Sequence, residues 1–543
     1  MARGFLGVSG LRRKKVVRLK QFIQSEGATT RSRSLFRYSP ALVLIAIVIA
    51  DAGRLSDPDL WGHLRFGQAT LSQAHPPWRD IYSYSVPGHR FIDHEWLTEV
   101  CMAWMYNRFG VIGLKIFKFL CTGSTIVLLA VAMGATDAPT LVQFGVLIAS
   151  AVAIMPQMQF RPQLFTFALL SAMLAILAKE NRERRAPLWL LVPMMAVWAN
   201  LHGGFIMGLA TLGVFSTVAC AQDLAAGRGL RRAWRLLAVG AGSALATLVT
   251  PYGAGIWRAV LHALANPYTG KVVMDWQSLP IAILGQWYSK PGGVVYIGIA
   301  VILFAALGIS LWLAPTTDDL PLVGVAIMMI VSTFVAIRNL PIAVIAVATP
   351  LTRHLGLAVV RRRERLGIAP DPSPERSSRA NQIVVTVLAA VIAIQTGLFS
   401  TRIKTDQPYP AGAVRFMKEH QLHGKVLSSF TWGEYLIWHL EPGSTIFIDG
   451  RYDTVFPISL IGMYLRFQFA LPGGAEVLEK YPPDFVLVSP TMPAFKLMES
   501  RAGWKLIYRD SSSALFARAD SAAARIPGVP VIASAQASSD YFP

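Results

Sequence analysis

The chain has 543 residues, 53% of them hydrophobic and 15% charged, with a mean hydropathy of +0.45. It is too apolar for a soluble enzyme and carries repeated apolar runs long enough to cross a bilayer, so it reads as a polytopic α-helical membrane protein. The formal charge of +20 sits in short basic blocks between those runs, which points to cytoplasmic retention and contact with anionic membrane lipids rather than to nucleic acid.

Residues 1–37 carry ten Lys or Arg against one acidic residue and read as a cytoplasmic basic arm. A first span over about 37–53 then crosses outward, opening a membrane domain assigned to residues 38–400. An external loop follows at 54–99, containing DPDLWGHLRFG, DIYSYS and HRFIDHEWLTE. A mere connection needs neither its six acidic residues, Asp57, Asp59, Asp80, Asp93, Glu95 and Glu99, nor its four histidines, His63, His75, His89 and His94. The loop is therefore a candidate for chemistry; the alternative is an interfacial loop packed on the bundle. Its Trp61, Trp78, Tyr82, Tyr84 and Trp96 suit either a membrane–water interface or the face of a sugar ring.

Helical spacing of Leu97, Cys101, Trp104 and Met105 predicts an interfacial helix before a second span at Val111–Met133. Spans at 141–157 and 163–178 flank a short polar turn, Gln157–Arg161, and KENRERR at 179–185 marks a return to the cytoplasm. The next pair, 187–202 and 203–222, meets at WANLHGG, where Asn200 and His202 either line a cavity or cap and join two helices. A basic block at 228–235 precedes a span at 236–250, and residues 251–292 read mostly as an external loop folded over the bundle, with a short amphipathic helix as the alternative for part of it. Spans near 293–313 and 320–337 follow, then AIRNLP with Arg338 and an apolar segment to about 351. RRRERLG at 361–367 opens a Pro-, Ser- and Arg-rich linker, and a last span at 383–399 returns outward. This makes about eleven spans, an odd number that places the carboxyl-terminal domain on the same side as the 54–99 loop.

Residues 401–525 form a small extracytoplasmic α/β domain, with strand-like KVLSSF, STIFIDG, FVLVSP, WKLIYRD and SALFARA around helical LIGMYLRFQFAL and GAEVLEKY. The Trp432–Asp453 stretch gathers Glu434, His439, Asp449, Arg451 and Asp453. Asp449-Gly450 ends a strand-like run, where a loop can aim side chains at a ligand. Arg451 between two aspartates could equally pin that loop through paired hydrogen bonds. Residues 526–543 read as a disordered tail. The three cysteines, Cys101, Cys121 and Cys220, lie in or beside apolar segments, against a disulfide framework or thiolate metal site.

Taken together, DPDLWGHL after the first span, DIYSYS, HEWL, WANLHGG and an external domain with FIDGRYD resemble a large bacterial family of membrane proteins in the GT-C glycosyltransferase superfamily. The resemblance covers most of residues 38–520. It implies a polyprenyl-phosphate-linked sugar donor and transfer to an envelope glycan, lipid or protein on the outer face of the bacterial cytoplasmic (inner) membrane. It also implies an active-site acidic residue in the first external loop, with a divalent metal in some members. Asp57 or Asp59 matches that position, and Asp93 or Glu95 is a second-line candidate. WGEYLI resembles the aromatic-acidic signature of oligosaccharyltransferase external domains, with Glu434 at the acidic position and a departing flanking pattern.

The chemistry asks for a base near the acceptor hydroxyl and positive groups near the departing phosphate. Asp57 is the first choice for the base and Asp59 the second. His63, Arg65, His94, Asn200, His202, Arg338, Asp449, Arg451 and Asp453 are candidate phosphate or acceptor contacts. A metal site from His63, His94 and the carboxylates has no diagnostic spacing. Two rivals stand beside the enzyme: a transporter or flippase of a lipid-linked saccharide, and a membrane-anchored scaffold that binds envelope glycan. Candidate polar residues collect at one face rather than at mid-span, which favours the enzyme.

Overall fold

The computed structural model describes residues 55–265, 274–284, 293–368, 402–405, 407–526 and 541–542. The basic arm, the first and last expected spans and most of the linker and tail lie outside the described residues.

The stretch expected as a loop contains regular structure. A short strand, β1 (Leu55–Ser56), leads into helix α1 (Leu60–Gln73), whose Leu60, Trp61, Leu64 and Phe66 are buried. Asp57 organises the entry by accepting the Asp59 backbone N–H on Oδ1 at 3.1 Å, an aspartate turn that competes with helix before residue 60. Polar residues interrupt the apolar stripe of α1, which hid its helical period; burial under a second domain is what stabilises it.

All nine expected spans that fall within the described residues are helical. They are α2 (Trp96–Gly134), α3 (Thr140–Ile154), α4 (Gln163–Glu183), α5 (Leu191–Leu201), α6 (Phe205–Ala225), α7 (Arg231–Ala246), then, beyond the intervening short helices, α10 (Gly293–Leu313), α11 (Leu320–Thr333) and α12 (Leu340–Arg365). Between α7 and α10, where a loop was expected, lie α8 (Gly255–Ala265) and α9 (Leu279–Leu284). Among the described residues six helices are long and apolar enough to cross a membrane, and two shorter apolar ones join them. Gly110, with φ of 59°, breaks α2 between the interfacial turns and the span. In α12 every residue from Leu340 to Thr352 is buried, which makes it the central helix and explains its all-round hydrophobicity.

One end of the bundle is tied by the basic blocks. Arg232 reaches the fully buried Glu180 at 3.2 Å and Asp223 at 3.5 Å, while Arg184 and Arg228 share Asp223 at 2.9 and 3.1 Å. His354 on α12 bridges the α10–α11 turn, with Nδ1 2.9 Å from the Ala314 carbonyl and Nε2 3.0 Å from Asp319.

At the other end lies the α/β domain, introduced by β2 (Ile403–Thr405) and α13 (Ala411–Glu419). Its elements continue as β3 (Gly424–Ser428), α14 (Gly433–Leu440), β4 (Ser444–Ile446), α15 (Ile458–Gln468), α16 (Glu476–Lys480), β5 (Phe485–Val488), α17 (Pro493–Glu499), β6 (Trp504–Arg509) and β7 (Ala514–Arg518). The sheet order is β4-β3-β5-β7-β6, with β3 parallel to β4 and β5 and the remaining pairs antiparallel. Every expected strand is present. The tail is in part ordered: β8 (Tyr541–Phe542) pairs with β2, which pairs with β1, and Phe542 is buried 5.2 Å from the Trp61 ring.

The 54–99 segment and this domain are joined along the β4 edge. Tyr84 N–H donates to the Ile446 carbonyl and Ile446 N–H to the Tyr82 carbonyl, both at 3.0 Å, which pairs an otherwise open edge. Arg451 fastens the same join: it binds Asp80 and Asp449 at 2.6 Å each and lies between the Phe66, Tyr82 and Phe91 rings at 5.0–5.2 Å.

Removing one partner of so buried a pair costs about 3–5 kcal/mol, so Arg451→Ala is expected to lower thermal stability and expose the domain join to limited proteolysis, measured on purified protein. The charge distribution predicts that cysteines at the exposed Ser72 and Ser500 both react with a membrane-impermeant thiol reagent in intact spheroplasts. Protection of either one until permeabilisation would reverse the orientation.

Candidate active site

The polar residues of the 57–99 segment converge beneath the α/β domain. Arg161, from the Gln157–Arg161 turn between α3 and α4, is the cation at the centre. Its Nε lies 2.5 Å from Asp57 Oδ2, its Nη1 2.8 Å from Asp275 Oδ2 and its Nη2 3.8 Å from Asp59 Oδ2. Asp57 is buried with both oxygens engaged, one by Arg161 and one by the Asp59 N–H. Asp59 differs: its side chain keeps 33% of its exposure, and the distant arm of Arg161 lies 3.8 Å from it. Burial first, then the Asp57 charge, pushes the Asp59 carboxyl well above the ordinary range, against the pull of Arg161.

A second group surrounds Glu95. His202 Nε2 is 3.4 Å and His94 Nε2 3.6 Å from Glu95 Oε1, and His63 Nδ1 is 2.9 Å from Glu99 Oε1. Burial raises the proton affinity of Glu95, but His94, His202 and His63 outweigh it and hold the carboxyl below its usual range. His202 is oriented from behind. Its Nδ1 accepts the Gly204 N–H at 3.0 Å and lies 2.8 Å from Thr166 Oγ1, which in turn accepts Trp198 Nε1–H at 2.9 Å. The proton is thereby left on Nε2, facing Glu95. A Cβ at Gly204 would press on Thr166 and His202, which accounts for the second glycine of WANLHGG.

His63, Glu95 and Glu99 bring one nitrogen and two carboxylate oxygens within 4.8 Å of one another, a donor set for a divalent cation. The neighbouring Asp93 carboxyl is hydrogen-bonded to the Glu99 carboxyl, so these two buried acids pair with each other. Burial pushes the Asp93 carboxyl up.

The remaining expected residues fall into place around these groups. Arg338 stacks 4.6 Å over the Trp276 ring and acts electrostatically on Glu95 and His202. Asn200 is consumed structurally: Oδ1 accepts Trp96 Nε1–H at 3.0 Å and Nδ2 donates to the Ala196 and Val249 carbonyls at 2.8 Å each. Arg65 points away, 2.6 Å from Glu441. Asp449 and Arg451, expected at a ligand, are buried in the domain join, and the pinning alternative describes them. Asp453 lies in the short turn Tyr452–Thr454. Gly450, between them, does reach the centre: a Cβ there would overlap Asp59 Oδ1 and Glu434 Oε1.

Arg161, Asp275, Glu99 and Glu434 belong to the site but were not assigned to it from sequence. An arginine at the end of an apolar run was the available signal for Arg161; Asp275 carried none. Beside the centre, two apolar hollows of about 470 and 510 Å³ share Trp96 and Pro251, one reaching His75 and Trp78 and the other Leu97 and Val197.

No family model matches the chain, and no curated protein matches it. Among solved structures it is similar to the Archaeoglobus fulgidus oligosaccharyltransferase. The apo form aligns with a TM-score of 0.51 at 12% identity over 85% of this chain and 70% of that one. The form tethered to an acceptor peptide aligns with a TM-score of 0.50 at 11% identity over 84% and 69%. ArnT from Cupriavidus metallidurans in the apo state aligns at 0.48 and 14% identity over 89% and 97%. The fold is of GT-C type, as the sequence resemblance implied.

Proposed function

We propose that the protein is a glycosyltransferase that moves a sugar from a polyprenyl-phosphate-linked donor to an envelope glycan, lipid or protein acceptor at the outer face of the inner membrane, with Asp59 as its general base. The observation that carries this reading is the division of labour inside the DPD pair. Asp57 is locked to Arg161, whereas Asp59 is half-open and holds a proton more tightly than an ordinary carboxylate. A base works best with a proton affinity near the operating pH, so the order expected from sequence is reversed.

In the proposed step the acceptor hydroxyl gives its proton to the Asp59 carboxylate as its oxygen bonds to the anomeric carbon. The bond from that carbon to the phosphate oxygen breaks, and polyprenyl phosphate leaves with the electron pair. Trp96 supports entry from the bilayer, because it lines the apolar hollows while its neighbour Glu95 belongs to the polar centre. The shared fold with an oligosaccharyltransferase supports the same class of chemistry.

The charge balance supports a divalent cation. Asp57, Asp59, Asp93, Glu95, Glu99 and Asp275 gather near two guanidiniums, Arg161 and Arg338, an environment hostile to a phosphate anion. A cation held by His63, Glu95 and Glu99 would supply the missing positive charge to the leaving group. His202 would then fix the Glu95 carboxylate from outside the ligand set.

Transfer from lipid-phosphate sugars in nanodiscs tests the assignment. Asp59→Asn is expected to lower turnover by ~10²–10⁴-fold with donor binding retained, and wild-type turnover is expected to fall as pH drops through the raised Asp59 range. Asp57→Asn should mainly cost folded protein, since it leaves Arg161 short of a partner; normal turnover in Asp59→Asn would end the claim. Mn²⁺ is expected to raise the melting temperature of wild-type protein and not that of Glu95→Gln or Glu99→Gln. Equal shifts in all three would remove the cation from this place.

A further inference from the structure

Glu434 enters the centre from the other domain. It sits in the first turn of α14, 4% exposed, between two glycines of different elements. A Cβ on Gly62 of α1 would overlap Glu434 Oε2, and a Cβ on Gly450 would lie 2.6 Å from Glu434 Oε1 while overlapping Asp59 Oδ1. Neither glycine has the positive φ that would demand glycine on backbone grounds. Space for one carboxyl group is what both positions supply.

The packing brings Glu434 Oε1 and Asp59 Oδ1 against the same Gly450, and each of two neighbouring carboxylates disfavours ionisation of the other. The charged groups facing Glu434 are Asp59, Asp57, Asp449 and Glu99 against Arg451; those facing Asp59 are Asp57, Glu95 and Glu434 against Arg161. Arg451 is already taken by Asp80 and Asp449 and Arg161 by Asp57 and Asp275, so neither of these guanidiniums is left over for Glu434. Glu434 Oε2 is buried without a hydrogen-bond partner, a position poor for a charged oxygen. Of the pair, Glu434 is the more buried and Asp59 the more exposed, which decides where the proton resides.

We infer that Glu434 is a positioning residue of the centre: an uncharged carboxylic acid, delivered by the docked α/β domain, that leaves Asp59 as the ionised member of the pair. Burial, followed by Asp59 and Asp449, pushes the Glu434 carboxyl well above its ordinary range, in keeping with that geometry. The inference rests on the reading of Asp59 as the base, yet its test needs no substrate.

Infrared spectra of the full-length protein in nanodiscs, titrated with pH, read the protonated carboxyl C=O stretch directly. The wild-type minus Glu434→Gln difference at pH 7 is expected to contain a protonated carboxyl band and no carboxylate band. In Asp59→Asn the same band is expected to titrate lower by about one pH unit or more, because the repelling neighbour is gone. Glu434→Gln should fold with an unchanged melting temperature, since an amide replaces a neutral carboxyl of the same shape; its failure to fold would count against the inference. A carboxylate band in the pH 7 difference, or a midpoint unmoved by Asp59→Asn, would overturn it. A protonated Glu434 in a protein that transfers no sugar would leave the inference standing and remove only the enzymatic reading.

Discussion

The guanidinium of Arg161 holds together the end of the molecule that carries the α/β domain. It reaches Asp57 and Asp59 between β1 and α1 and Asp275 in the turn ahead of α9, so two distant stretches meet on the side chain of a third. Buried ion pairs are weak evidence for net stability, because desolvation offsets much of the attraction. Their value here is specificity of arrangement. Only one register of the segment 57–63 lets Asp57 reach Arg161 while His63 reaches Glu99.

Everything else in the polar region follows from that fixed entry. With Asp57 held, α1 starts at residue 60 and buries Trp61 against Tyr409 and Tyr435, at 4.4 and 5.4 Å between rings. That seats the α/β domain, whose β4 edge takes up residues 82–84, and the Arg451 clasp closes the seam. A centre assembled at a seam can be shaped by both partners, so Glu434 and Gly450 belong to it as much as the membrane-side acids do.

Much of this was legible in the sequence. Apolar runs gave every described span because bilayer length is a strong, local signal, and alternation gave the five strands of the larger sheet. The DPD and HEWL acids stood out because charges are costly beside apolar runs. The partners of those charges did not stand out. Arg161 lies 104 residues beyond Asp57 and Asp275 another 114 beyond that, and no local pattern encodes which cation meets which carboxylate. Arg451 shows the opposite error: an arginine between aspartates looks like a binding loop, and only burial among aromatic rings distinguishes a clasp. Helix α1 was missed because its apolar face is completed by Tyr409, Tyr435 and Phe542.

The small sheet β1-β2-β8 has a consequence for the order in which the molecule is made. Leu55 pairs with Lys404, and Trp61 packs under Phe542. Residues 55–61 are synthesised some hundreds of residues before either partner exists, and every bundle helix described here must enter the membrane in between. Such distant contacts form late and slowly. During that interval the acid-rich segment lacks its cover and Trp61 lacks the rings that bury it. The newborn chain therefore passes through a stage with a complete bundle and an open polar end, a stage suited to recognition by chaperones and exposed to proteases.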